Sequence, residues 1–147
     1  MLKNKTIRKA NSEDLIPIHL IEQDVFNHEQ WTLEMIESEL KNFPGQSTWI
    51  IEESRLILGY CMTRMIFNET NILNMAIKST HQGSGLGPYL FGYVLDQLPT
   101  KSSIYLEVKQ GNLPALKLYH SFGFQVINSR RNYYKDGNTA LVMHLEN

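Results

Sequence analysis

The sequence predicts an α/β fold of the α+β type: a mixed, mostly antiparallel central sheet flanked by helices. Three observations carry this. From Thr48 to Ile77 three β-type runs follow one another with only short polar breaks. The segment Gln82-Gly83-Ser84-Gly85-Leu86-Gly87 then opens an amphipathic helix. After it come one more strand, one more helix and two final strands. With 147 residues the chain is long enough to bury a core without disulfides or metal, and residues 1–147 read as a single domain.

The elements follow in order. Thr6 to Lys9 is a short strand. Ser12 is placed to cap a helix carrying Leu15, Ile18, Leu20 and Ile21, with Pro17 near its start and its end near Phe26. Thr32 caps a second helix with Leu33, Ile36 and Leu40 as its apolar stripe, and Asn42 and Pro44 stop it. Trp31, just before that cap, is either a hydrophobic staple or an aromatic facing substrate. Trp49 to Ile51, Leu56 to Met65 and Asn71 to Ile77 form an antiparallel meander, broken at Glu53-Ser54-Arg55 and at Asn68-Glu69-Thr70. Leu86, Leu90, Val94 and Leu98 recur every four residues, so a helix runs to Leu98, where Pro99 ends it. Ser103 to Val108 alternates, with Ile104, Leu106 and Val108 on one face and Tyr105 and Glu107 on the other. Because it follows a helix, this strand should lie parallel to the one before the glycine segment. Asn112 caps a helix with Pro114 in its first turn and Gly123 at its end. Phe124 to Ser129 and Thr139 to Leu145 close the chain, with Asp136-Gly137 as a turn between them.

Composition narrows the function. Fourteen Lys and Arg against 15 Asp and Glu leave no general basic face for nucleic acid. No apolar run reaches the length of a membrane span, and the N-terminus lacks a signal-like core, so a soluble cytoplasmic protein is expected. The single Cys61, in an apolar run, fits a reducing compartment and reads as a small buried hydrophobe. Histidines at 19, 28, 81, 120 and 144 are scattered without a ligating spacing, so no metal is expected. His120 should point to a different helix face from Tyr119.

The glycine segment is the most informative stretch. Glycines let the backbone approach an anion, and a helix's first turn adds free N–H donors. A P-loop would need Lys and Ser or Thr after the last glycine, yet no Lys follows Gly87 until Lys101. The dinucleotide fingerprint would start at Gly83 and Gly85 but needs glycine where Pro88 stands, although Glu107 lies at the spacing of its acidic partner. A pyrophosphate-bearing cofactor and a plain strand-to-helix turn both remain open from the loop alone.

Gln82, Gly85 and Gly87 match the pattern [QR]-x-x-G-x-[GA], and with them the chain resembles the GCN5-related N-acetyltransferase (GNAT) superfamily. The resemblance extends over nearly the whole chain: Asn74 to Ile77 before the loop, Leu106-Glu107-Val108 after its helix, and Asn112 to Phe124. Within the superfamily it is most similar to the bacterial ribosomal-protein-alanine N-acetyltransferases. Ile21-Glu22-Gln23 followed by Trp31, Glu107 with Tyr119, and Arg130-Arg131-Asn132-Tyr133-Tyr134 carry that closer likeness.

The resemblance implies a sheet splayed between the strands ending near Ile77 and Val108, with acetyl-CoA entering the splay as cosubstrate. Gln82, Gly83, Ser84, Gly85, Leu86, Gly87 and Pro88 would surround the pyrophosphate. Met75, Ala76 and Ile77 would lie beside the pantetheine arm and polarise the thioester carbonyl, and Asn112 would bind farther along the cofactor. Glu107 would take the amine's proton, directly or through water, and Tyr119 would protonate the departing thiolate. The acetyl group would pass by direct attack, through a tetrahedral intermediate, to a protein N-terminal amine. The N-terminal alanine of a small-subunit ribosomal protein is the expected acceptor, with Trp31, Arg131, Tyr133 and Tyr134 as substrate-binding residues. Read without the resemblance, Glu107 is a strand residue open to pairing with Lys109 or Lys101, Tyr119 is a half-buried helix aromatic, and the Arg-Tyr segment is hairpin surface.

Two departures stand out. The family commonly has Arg where this chain has Gly83 and Arg or Lys where it has Pro88, so the phosphate grip falls on backbone donors, of which Pro88 supplies none. An acetyltransferase for a small amine, amino acid or lysine side chain is the second reading, and a noncatalytic acetyl-CoA-binding module the third. A monomer or weak homodimer is expected, with neither nucleic acid nor membrane as partner.

Overall fold

The computed structural model describes residues 2–26 and 30–147. Its strands are β1 (Thr6–Lys9), β2 (Gln46–Glu53), β3 (Leu56–Ile66), β4 (Glu69–Ile77), β5 (Ser103–Lys109), β6 (Gln125–Arg130) and β7 (Ala140–Glu146). Its helices are α1 (Leu15–Val25), α2 (Leu33–Glu39), α3 (Leu86–Gln97) and α4 (Leu113–Ser121), with single 3-10 turns at Ser12–Asp14 and Ser79–His81. The strands form one sheet in the order β1-β2-β3-β4-β5-β7-β6. Only β4 and β5 pair in parallel, as expected of strands joined through a helix.

Local chemistry corrects several boundaries. The N-terminal cap is Asn11, not Ser12. The Asn11 side chain accepts from Glu13 N at 2.9 Å, while Asp14 Oδ2 accepts from Asn11 N at 2.8 Å, and this reciprocal box organises the 3-10 turn before α1. The Thr32 and Asn112 caps form as expected, accepting from Met35 N at 3.2 Å and Ala115 N at 3.3 Å. Glu69 and Thr70 already belong to β4, so the β3–β4 turn is shorter than the polar run suggested and Phe67 takes it with φ 56°. The last two strands pair antiparallel, but β7 rather than β6 lies beside β5.

Two apolar layers cover the sheet. On one face Leu86, Leu90, Phe91, Val94 and Leu95 of α3 share a cluster with Ile51 of β2, Leu58 and Cys61 of β3, Ile72 of β4 and Ile104, Leu106 and Val108 of β5, and Tyr119 and Phe122 at α4's C-terminal end join it. On the other, Ile18 and Ile21 of α1 and Ile36 of α2 cover Ile50, Tyr60, Met62 and Ala76. Trp31 packs into this second cluster with Ile36, the geometry of a hydrophobic staple.

The sheet opens where β4 bulges. β4 pairs with β5 only over Glu69–Ile72 against Ser103–Leu106. At the next residue its register on β3 shifts from Ile72↔Thr63 to Asn74↔Met62, so Leu73 is the extra residue of a β-bulge, which bends a strand. Beyond that point β4 stays on β3 as far as Ile77↔Gly59, while β5 stays on β7 as far as Lys109↔Ala140. The expected splay is present, and the bulge is its local cause.

Candidate active site

The β4 side of the splay presents main-chain donors. Lys78 N donates to Leu58 O at 2.7 Å across β3, and N–H direction alternates along a strand. The Met75 and Ile77 N–H groups therefore point away from β3, toward the gap. Ile77 O points the same way and accepts from Gln82 Nε2 at 2.9 Å, which ties the loop to the end of β4. This gives Gln82 a structural reason for its place in the motif.

Below the gap the glycine loop leads into α3. Gly83 and Gly85 have φ of 79° and 86°, left-handed conformations that favour glycine, and a Cβ at either would meet nothing within 4 Å. Open space beside the loop fits an anion better than a packed turn does. Gly85 is the N-cap of α3 and makes no side-chain cap bond, so the helix's first N–H groups are left for another acceptor. Pro88 contributes none, as expected. Ser84 Oγ donates to His81 O at 2.6 Å. Asp24, at the end of α1, accepts from Ser79 N and Ser79 Oγ, both at 2.8 Å, and these bonds hold its carboxyl below the usual range.

Glu107 and Tyr119 reach this region from opposite faces. Glu107 lies one residue past the last β4–β5 pair, and by alternation with buried Leu106 and Val108 it faces the α1 and α2 side. It is exposed and makes no hydrogen bond or ion pair among the described residues; Lys109 pairs instead with Asp136 at 2.8 Å. Tyr119 packs edge-on against Phe91 with centroids 5.3 Å apart and near Phe124. Its ring is half-buried, and its hydroxyl makes no hydrogen bond among the described residues. Desolvation raises its pKa above the usual tyrosine range, with smaller contributions from Cys61 and Tyr134. Cys61 is fully buried, and the same cause pushes its thiol up to about 12, as fits a small buried hydrophobe.

The other expected residues fall in two places. Asn112 Oδ1 is engaged in the α4 cap, and its Nδ2 is not used by it. Arg130 lies over the Tyr133 ring at 5.6 Å, Tyr133 meets Tyr134 edge-on at 5.1 Å, and Lys109 lies over Tyr134 at 5.0 Å. This cation–aromatic stack lies on the β6–β7 connection. Arg131 points elsewhere, lining a surface groove of about 610 Å³ with Val126, Asn128 and Leu141. Trp31 borders a shallower groove of about 370 Å³ with Glu34, Met35, Ser38 and Glu39. Among the described residues no group of His, Cys, Asp and Glu is arranged to hold a metal. His120 Nδ1 contacts Phe124 O at 3.0 Å, whereas His28 lies outside the described residues.

One cluster escaped the sequence reading. Glu22, fully buried on α1, accepts from Tyr60 Oη, from Asn74 Nδ2 at 2.6 Å and from Trp31 N at 2.9 Å. Its signal was a Glu four residues after Ile18, on the apolar face of an amphipathic helix.

The site is thus a sheet that parts beyond a bulge, with a glycine loop and a helix without a side-chain cap at its foot. The acetyltransferase (GNAT) family model matches residues 12–124, and the chain belongs to that family. A Bacillus subtilis protein provisionally named [ribosomal protein bS18]-alanine N-acetyltransferase is 33% identical over 146 residues, 97% of this chain and 96% of that protein. The crystal structure of the ribosomal-protein-S18-alanine N-acetyltransferase from Escherichia coli superposes with a TM-score of 0.87 at 28% identity, covering 96% of this chain and 92% of that one. Arabidopsis thaliana Naa50, in complex with the bisubstrate analogue CoA-Ac-MVNAL, shares the fold at a TM-score of 0.82 and 19% identity, over 97% and 98% of the two chains.

Proposed function

We propose that this acetyltransferase uses acetyl-CoA to acetylate a protein N-terminal amine, with the N-terminal alanine of ribosomal protein bS18 as its acceptor. The observation that carries the reading is the position of Glu107: exposed, without an ionic partner among the described residues, and one residue beyond the point where β4 and β5 part. The names of the Bacillus and Escherichia relatives support the acceptor.

The Met75 and Ile77 edge, with Met75 N–H held by Asn74 Oδ1 at 3.0 Å until the cosubstrate arrives, aligns the pantetheine arm, and the loop N–H groups with the start of α3 bind the pyrophosphate. The amine arrives from the α1 and α2 face. Its nitrogen bonds to the thioester carbon as Glu107 takes its proton, and the C–S bond breaks as the thiolate receives a proton from Tyr119. An α-amine, with pKa about 7.7–8.0, asks less of a carboxylate base than a lysine amine near 10.4. A phenol of raised pKa is a weak acid, but the thiolate leaves into the same desolvated surroundings.

Asn112 assists farther along the cofactor, and Tyr133 and Tyr134 with Trp31 border the acceptor. Mass spectrometry of peptides beginning Ala, Met or an internal lysine tests the acceptor. Acetylation at the α-amine of the alanine peptide is expected; preference for the lysine side chain or a free amine would contradict it. Buried, lone Cys61 fits the cytoplasm as the compartment. Among the described residues no helix is long and apolar enough to cross a membrane.

A further inference from the structure

Glu22 is a carboxyl group removed from solvent that makes no ion pair among the described residues. Such a group is tolerated only when its oxygens are met by donors, and its removal would leave those donors buried without an acceptor. Three donors from three separate elements meet this one. Tyr60 Oη comes from β3, Asn74 Nδ2 from β4 at 2.6 Å, and Trp31 N from the connection ahead of α2 at 2.9 Å. Burial and the Glu22 charge hold the Tyr60 phenol protonated, which keeps it a donor.

The Asn74 contact matters because of where it lies. Asn74 follows the bulge residue Leu73, and its Oδ1 accepts from Met75 N at 3.0 Å. That N–H is one of the two that point into the splay. Facing a carboxylate on one side and an N–H on the other, the Asn74 amide has one satisfied orientation, and Glu22 sets it. The second Glu22 oxygen holds Trp31, at the border of the acceptor side. One buried carboxylate thus grips the cofactor strand and the acceptor connection at once.

We propose that Glu22 is a positioning residue that couples occupancy of the splay to the Trp31 segment, so that bound cofactor orders the acceptor side before transfer. When a cofactor carbonyl takes the Met75 N–H, Asn74 Oδ1 loses that donor, and the rearrangement reaches Trp31 through the shared carboxylate. The inference rests on reading the splay as the acetyl-CoA cleft, but not on the identity of the acceptor.

The test is amide hydrogen exchange by NMR on the full chain, with and without coenzyme A. In wild type, coenzyme A should slow exchange at Trp31 about fivefold or more, in the range of ordinary coupling between sites. Glu22→Gln, which turns an acceptor toward these donors into a donor, should cut that response below about twofold. Coenzyme A binding itself, followed at Gly85 and Gly87, should persist in that variant. Tyr60→Phe leaves both links in place and should keep the response. Asn74→Ala cuts the cofactor end alone and should lose it, which keeps the test decisive if Glu22→Gln fails to fold. A Trp31 response that survives Glu22→Gln or Asn74→Ala, or one absent from coenzyme A-bound wild type, would overturn the proposal. Failure to acetylate alanine peptides would instead count against the acceptor and leave this coupling standing.

Discussion

At the scale of single residues, the proposed chemistry is divided between one exposed and one desolvated group. Glu107 faces the α1 and α2 side with no ionic partner among the described residues, and Tyr119 sits among Phe91, Phe122 and Phe124. Loss of a general acid or base typically costs about 10²–10⁴-fold in rate, so Glu107→Gln and Tyr119→Phe should each lower kcat within that range with little change in the acetyl-CoA KM. The pH profile separates their parts. Tyr119 acts as a donor when protonated, and its raised pKa means that the donor is present at low and neutral pH and lost only above the ordinary tyrosine value of about 10. The rise of kcat/KM should therefore follow the acceptor amine near pH 7.7–8.0, with no falling limb before about pH 10. A falling limb below that, absent from Tyr119→Phe, would contradict the assignment.

At the scale of elements, the site is made by interruptions of regular structure. The Leu73 bulge parts β4 from β5, and left-handed Gly83 and Gly85 end one element and begin the next. Alanine at Gly85 adds about 1–2 kcal/mol of left-handed strain, which should raise the acetyl-CoA KM while leaving kcat nearly unchanged. Titration of the rate with acetyl-CoA checks this. Asn112→Ala removes the α4 cap, at a cost of about 1 kcal/mol. It should lower Tm by about 2–4 °C and also raise the acetyl-CoA KM. A fall in Tm with KM unmoved would confine Asn112 to capping.

At the scale of the whole molecule, the fold places three separated stretches of chain around one opening. Coenzyme A spans β4, the glycine loop and α3 in this account, so at about a hundred times its Kd it should stabilise the protein by about 2.7 kcal/mol, readable as a rise in Tm. Much of this plan was legible in the sequence because it is written in periodicity: the four-residue spacing from Leu86 to Leu98 and the alternation from Ile104 to Val108. The glycine loop and the Asn112 cap were legible because glycine and asparagine each answer a specific local need. What stayed hidden depends on partners distant in sequence. Asn11 takes the cap from Ser12 because Asp14 reaches back to Asn11 N, and Arg8 of β1 holds that carboxylate. β7 enters between β5 and β6, an order that no local pattern records. The Glu22 cluster joins residues up to 52 positions apart, so only the folded chain reveals that Ile21-Glu22-Gln23 carries a buried joint.

The most direct measurement is steady-state acetylation of a peptide with the bS18 N-terminus, the product located by mass spectrometry, for wild type, Glu107→Gln and Tyr119→Phe. The account predicts one acetyl group on the α-amine, made by wild type and slowed about a hundredfold or more by each substitution. Full activity in both variants, or an acetyl group found only on lysine, would contradict it.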